Sequence, residues 1–116
     1  MRYALLICGD EKVYEAMTPD ESAAHLAKYG EFMEDLGSTG VLQGGERLRP
    51  VADATTVRVR DGEVLTSDGP FAETKEQVGG FCLIECASMD EAVEVAAQHP
   101  AASYGTIEVR ELFPPL

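Results

Sequence analysis

The sequence predicts an α+β fold in which a strand–helix–strand unit occurs twice, with an extra β-hairpin between the two copies. Three observations predict this fold. Residues 2–8 form an apolar run of strand length, two capping signals each precede a segment of helical periodicity, and Asp61-Gly62 separates two segments of alternating residues. A strand follows each predicted helix, so the pattern of the split βαβ unit is used twice.

The first predicted helix begins at a capping box. Thr18 is the N-cap, Pro19 occupies the first helical position, and Glu21 lies where the box requires a carboxylate. Gly37 and Gly40 end the helix, because glycine is favoured just beyond a helix C-terminus. Between these ends, an apolar stripe follows at spacings of three and four residues: Leu26, Tyr29, Met33 and Leu36.

The predicted hairpin is defined by its turn. The second strand starts at residues 41–42, and two segments of alternating residues come after it. Asp61-Gly62 between them is a preferred two-residue turn, because both of its positions need positive φ. This turn predicts that Arg60 lies opposite Glu63 as a favourable cross-strand pair.

The second unit repeats the devices of the first. Residues 79–86 predict a strand, and Ser88 with Glu91 repeats the capping box. Pro100 ends the helix, and residues 104–113 alternate as a last strand. The whole order is the ferredoxin-like arrangement βαβ(ββ)βαβ, with an antiparallel sheet and helices on one face.

The open face of this sheet predicts a partner. The chain has the length of a single domain, residues 1–116, and a sheet of this kind carries helices on only one face, so its other face must meet solvent or a partner. Several strands look apolar on both sides. We therefore expect a homodimer in which the open faces of two sheets close on each other.

Charge excludes two classes of partner. The formal net charge is −12, with nine Lys and Arg against 21 Asp and Glu. A basic surface is needed to bind phosphates or anionic lipid, so neither nucleic acid nor a membrane is expected as a partner. The apolar start is too short for a signal peptide, and no run has the length to span a bilayer. The chain is therefore predicted to be a soluble cytoplasmic protein.

The cysteines indicate a reducing compartment. Cys8, Cys82 and Cys86 are odd in number and lie inside apolar runs, as is typical of free buried thiols. Their pattern does not predict a metal site. No glycine-rich phosphate loop precedes a helix either, so neither a metal nor another cofactor is expected.

His25 is the strongest candidate for chemistry. It lies beside the apolar stripe of the first helix, close to Tyr29 and Phe32, which we expect to contact a substrate. An imidazole can act as a general acid or base near neutral pH. The alternative is a hydrogen-bonded helix residue without chemistry, and the sequence alone favours this structural role slightly. His99, just before a proline, is expected to be a helix-end residue that favours the helix dipole.

The loop around residues 68–76 is a second candidate. Asp68, Glu73 and Lys75 could form the polar rim of a pocket, with Lys75 binding an anionic substrate. Phe71 is apolar, so it is expected to pack against other residues and to contact a substrate. The alternative is a solvated loop whose ion pairs are individually weak.

The same loop carries a resemblance. Residues 68–76, Asp-Gly-Pro-Phe-Ala-Glu-Thr-Lys-Glu, followed by Gly79-Gly80-Phe81, resemble the signature of the DGPF branch of the YCII-related proteins. The similarity extends over nearly the whole chain. It implies a bacterial protein that forms a dimeric, ferredoxin-like α/β barrel.

The resemblance also implies an active site. YCII-related proteins are proposed to be enzymes with a His–Asp pair in a cleft between sheet and helices, and His25 matches the histidine. At the position of the aspartate this chain has Ser38-Thr39. A carboxylate from the central loop, Asp68 or Glu73, would then have to replace it.

Two functions remain open. The first is a cofactor-free lyase or isomerase in which His25 transfers a proton on a small organic molecule, aromatic or carbonyl-bearing. The second is a non-catalytic module that senses a small ligand or binds a protein partner in transcriptional regulation. The acidic surface, suited to a basic protein, favours the second.

Overall fold

The computed structural model describes all residues, 1–116, and contains six strands and three α-helices. The first half holds β1 (Arg2–Gly9), α1 (Glu11–Glu15), α2 (Pro19–Thr39), β2 (Leu42–Arg47) and β3 (Thr55–Arg60). The second half holds β4 (Glu63–Asp68), β5 (Gln77–Glu85), α3 (Met89–Ala97) and β6 (Thr106–Glu111). Two short 3₁₀ helices complete the chain, Val51–Asp53 and Pro100–Ser103.

The main sheet has the strand order β2-β5-β1-β6, and all neighbouring strands are antiparallel. Each βαβ unit therefore spans a strand of the other unit, because β5 lies between β1 and β2, and β1 lies between β5 and β6. This confirms the predicted α+β class and fits the ferredoxin-like arrangement. The hairpin β3–β4 forms a separate two-stranded sheet.

The two helix starts predicted from capping residues are confirmed, since Thr18 caps α2 and Ser88 caps α3. Thr18 and Glu21 form the complete reciprocal capping box of α2, with Pro19 in the first turn. Gly40 ends that helix in the left-handed region, with φ 78°. The prediction that Gly37 also ends the helix is wrong, since the helix continues through it to Thr39.

The short helix α1 was not predicted. Asp10 caps it by accepting a hydrogen bond from the backbone N–H of Lys12. The carboxylate of Glu11 then accepts a bond of 2.8 Å from the backbone N–H of Val51, forty residues along the chain. This bond fixes α1 against the segment that follows β2.

The hairpin has the predicted turn. Asp61 and Gly62 both adopt positive φ, 52° and 77°, and Arg60 lies opposite Glu63. At its base, the backbone N–H of Gly69 donates to Ala54. The hairpin side chains are largely exposed, so the hairpin packs little against the main sheet.

The core lies between one face of the sheet and the helices. Alternate residues of β1 and β5 are buried there and pack against α2 and α3. The ten apolar members of this core are Tyr3, Leu5, Ile7, Phe32, Leu36, Cys82, Ile84, Ala92, Ala96 and Ala101. None of the helices combines the length and the apolar character that crossing a membrane requires.

The molecule is thin and extended. Its radius of gyration is 16.1 Å, against about 13 Å for a compact domain of this length. Its extents are 47 × 44 × 19 Å, because the main sheet carries a layer of helices on one face only.

Phe71 was expected to pack against other residues, but this residue is 81% exposed. The loop is held instead by its backbone and by Thr56, whose hydroxyl donates to the carbonyl of Gly69.

Candidate functional site

His25 lies in the second turn of α2, where its ring is half-buried against two tyrosines. The hydroxyl of Tyr104 is hydrogen-bonded to Nδ1 and lies 3.2 Å from Nε2. Tyr14 of α1 completes a triangle of rings, with centroid separations of 5.5 Å to His25 and 5.9 Å to Tyr104. Three separate segments of the chain therefore meet at the imidazole.

The electrostatics of this triangle favour neutral groups. Burial lowers the pKa of His25 below its ordinary value, and the cations of Arg47 and Lys28 lower that pKa further. Burial and the neighbouring Tyr14 raise the pKa of Tyr104 to about 12. Near neutral pH the imidazole is therefore uncharged and able to accept a proton, while the phenol stays protonated.

A cavity of about 290 Å³ opens beside His25, between the end of the sheet, helices α1 and α2, and the segment after β2. Its aromatic wall is formed by Tyr14, Tyr29 and the two histidines. Three glycines line the sheet side: Gly9, Gly79 and Gly80. The size suits a small organic molecule.

The charged groups of the cavity are not equivalent. Arg49 is ion-paired with Asp53 at 2.9 Å, and the Glu11 carboxylate is engaged by a backbone N–H. Arg47 also lines the cavity but makes no ion pair. Its guanidinium is therefore available to an anionic group of a bound molecule.

His99 is the second histidine of the cavity and is only 3% exposed. Its Nδ1 accepts a bond of 3.0 Å from the backbone N–H of Ala101. The rings of Tyr29 and Phe32 meet it edge-on, with centroids 5.2 and 4.8 Å away. Burial, assisted by His25, lowers the pKa of His99 to about 4. The expected dipole interaction of a charged His99 is therefore wrong, because the ring is neutral.

The predicted site residues fall into two groups. His25 and Tyr29 line the same cavity, while Phe32 is buried in the core and reaches the site only by supporting His99. The four predicted residues of the central loop line neither of the two principal cavities: Asp68, Phe71, Glu73 and Lys75. Within one chain, the structure does not bring a loop carboxylate to His25.

Several site residues were missed from the sequence. Tyr14 belongs to the short helix that was not predicted, and Tyr104 follows the second 3₁₀ helix. Arg47 ends a strand and gave no signal of its own. His99 was predicted only as a helix-end residue that favours the dipole, and its place in the cavity was missed. No group of three or more His, Cys, Asp or Glu side chains is placed to hold a metal ion.

Comparison with known proteins gives two matches. The model of the YCII-related domain matches residues 1–115. An uncharacterised protein of Rhizobium meliloti (strain 1021) is 41% identical over 114 residues, which cover 97% of this chain and 92% of the relative. Both matches extend over nearly the whole chain. The narrower DGPF branch stays a prediction.

Proposed function

This chain belongs to the YCII-related family, and we propose that it is a cofactor-free enzyme of lyase or isomerase type. In this proposal His25 takes a proton from, or returns one to, a small organic molecule bound in the cavity. The observation that carries it is the position of a neutral, half-buried imidazole at the cavity wall, hydrogen-bonded to a protonated phenol.

The Tyr104 hydroxyl can support His25 both when the imidazole takes up a proton and when it returns one. A phenol can donate to a ring nitrogen or accept from an N–H, so it can hold the imidazole in either protonation state. The lowered pKa of His25 leaves it neutral and ready to act as a base near pH 7. Arg47 can orient a carboxylate or similar anionic group, and Tyr29 can contact an aromatic part of the substrate.

The active unit in this proposal is a homodimer located in the bacterial cytoplasm. Support comes from the thin shape with one sheet face left open, from the half-buried apolar side chains of that face such as Leu6 and Leu83, and from the exposed Phe71. A catalytic role for Asp68 or Glu73 requires that the second copy bring its loop to the cavity. Sedimentation of the wild type and Phe71→Ser tests this association, and a monomeric wild type contradicts it.

Proton transfer can be measured without knowing the natural substrate. The protein in D₂O is incubated with a panel of small carbonyl acids, and loss of the proton beside each carbonyl is followed by NMR. The wild type should accelerate exchange of at least one compound, and His25→Ala should reduce that rate by about 10²-fold or more, as expected on loss of a general base.

Two matched variants control this experiment. Glu34→Ala changes an exposed residue of the same helix and should leave exchange unchanged. Tyr104→Phe keeps the ring but removes the hydroxyl, and should slow exchange less than His25→Ala. Full exchange activity in His25→Ala overturns the proposed role of His25.

A non-catalytic module is the second candidate, favoured by one observation. No carboxylate is hydrogen-bonded to His25, so the His–Asp pair proposed for the family is not formed within this chain. The module would bind a ligand in the same cavity and a basic protein on its acidic surface. Binding of a panel compound without any exchange, together with capture of a defined regulatory protein, supports this function over the enzyme.

A further inference from the structure

The Nε2 atom of His99 is a buried polar atom without a hydrogen-bond partner, and no other side-chain nitrogen or oxygen in the chain shares that condition. Proteins rarely leave such a group unpaired, since burial removes its bonds to water. The rest of the ring is fully held. Its Nδ1 accepts a hydrogen bond from the backbone N–H of Ala101, and the rings of Tyr29 and Phe32 pack against it edge-on.

The bond to Ala101 also decides what the free nitrogen can do. Because Nδ1 accepts from a backbone N–H, the proton of the neutral ring must be on Nε2. Nε2–H is therefore a donor of fixed direction, and it can bind an acceptor oxygen but cannot act as a base.

The location of His99 connects it to the site of His25. His99 lines the 290 Å³ cavity and a second, more open cavity, which is lined by the first turns of α2 and by residues between 97 and 104. Only Met17, His25 and His99 line both. The two imidazoles are thus the polar side chains that the two cavities share.

We propose that Nε2–H of His99 binds a carbonyl or carboxylate oxygen of the molecule that occupies the cavity, which must displace a neighbouring side chain to reach this enclosed atom. This inference rests on the proposed function, which it deepens by assigning the substrate class, a compound with an acceptor oxygen next to the carbon that exchanges its proton. A hydrogen bond to a carbonyl oxygen draws electron density from the neighbouring C–H bond. When His25 removes that proton, the charge that develops on the oxygen is stabilised by the donor.

Acetophenone and ethylbenzene provide a direct test, since they share ring and size and differ in the carbonyl. The protein is labelled with ¹⁵N-histidine, and the Nε2–H signal of His99 is followed by NMR during titration with each compound. Acetophenone should shift this signal and ethylbenzene should not. Equal responses to both, or no response to acetophenone near its solubility limit, overturn the proposal.

Two variants separate the donor from a purely structural role. In His99→Asn the side-chain oxygen can still accept from Ala101 N–H, but no donor reaches the position of Nε2. In His99→Gln the amide N–H can reach that position, while the bond to Ala101 is lost. Acetophenone should bind about five- to tenfold more weakly to the Asn variant than to the wild type, with binding largely kept in the Gln variant. Affinity that instead follows thermal stability in the two variants contradicts the proposal.

His25→Ala distinguishes the failure of this inference from that of the proposed function. If His25→Ala keeps carbonyl exchange while His99→Asn loses acetophenone binding, the donor role stands and the proton-transfer role of His25 falls. If His25→Ala loses exchange while His99→Asn binds acetophenone as the wild type does, the donor role falls and the enzyme stands.

Discussion

The two βαβ units share one pattern but differ in the length of their helices, and this difference creates the site. Helix α2 of the first unit has 21 residues, whereas α3 of the second has nine. Because α3 ends at Ala97, the chain has residues to spare before β6. They form the 3₁₀ helix Pro100–Ser103, which packs on α2 and is flanked by His99 and Tyr104.

The first unit therefore supplies the candidate base, and the early end of the second supplies Tyr104, which is hydrogen-bonded to that base, and His99, which lines the same cavity. A symmetric repeat with two long helices would have no such segment to place against His25. The candidate chemistry therefore lies where the two units differ, while the stability of the fold comes from the core that both units share.

The largest expected effect comes from breaking that shared core. Leu5 in the central strand β1 is fully buried, so Leu5→Ala should lower the free energy of unfolding by about 2–5 kcal/mol. Urea denaturation measures the change. Val64→Ala on the hairpin, where the side chain is 68% exposed, is the control and should change stability by less than about 0.5 kcal/mol. Equal losses would mean that the hairpin is as well packed as the sheet.

An intermediate effect is expected from pH, because His99 is buried as a neutral ring. The unfolded chain takes up this proton near pH 6.5, and the folded chain only near pH 4. The unfolded state thus binds more protons between these values, so stability is complete above pH 6.5 and falls as the pH decreases. The loss attributable to His99 should reach up to about 3 kcal/mol by pH 4.

Urea denaturation of the wild type and His99→Asn across this pH range isolates the effect of His99, since both proteins carry the same carboxylates. The wild type should lose more stability than the variant as the pH falls. Parallel profiles would show that His99 titrates normally, and the NMR titration of its ring protons would then have a midpoint near 6.5.

The smallest expected effect compares the two helix caps. Thr18→Ala and Ser88→Ala each remove a side chain that accepts a backbone N–H bond, and each should cost about 1 kcal/mol. Thermal unfolding measures the cost. Only the first change loosens the turn before His25, so Thr18→Ala should shift the NMR signals of His25 while Ser88→Ala leaves them in place. A shift in both variants would indicate that α3 positions the site as strongly as α2.

The fold was predictable because its signals are local. The capping residues Thr18 and Ser88 and the turn Asp61-Gly62 each act on their own segment, and the structure has all three devices. One detail of the second cap differs from the prediction, since the Glu91 carboxylate accepts from the N–H of Ala87 rather than from that of Ser88. The fold class did not depend on this detail.

The site was only partly predictable, because its parts meet through tertiary structure. His25 and Tyr29 were found from one helix face, since their spacing is visible in the sequence. Tyr14 and Tyr104 are ninety residues apart, and no local pattern indicates that their rings approach within 5.9 Å. The composition of the loop around Phe71 predicts a pocket rim, but composition alone does not determine which cavity a side chain reaches, and this loop lines neither principal cavity.

The three glycines on the sheet side of the cavity have a consequence for what it can hold. Gly9, Gly79 and Gly80 contribute no side-chain atoms to this wall, and Gly79 and Gly80 belong to the motif that resembles the YCII-related signature. At Gly80 a methyl group would meet the carbonyl oxygen of Glu46 at 2.9 Å, and at Gly9 it would press on the Tyr14 hydroxyl at 3.1 Å. Gly79 has room for a methyl group. The shape of this cavity thus depends partly on absent side chains, and Gly79 is the position of the three where a methyl group can be added without displacing a neighbouring atom.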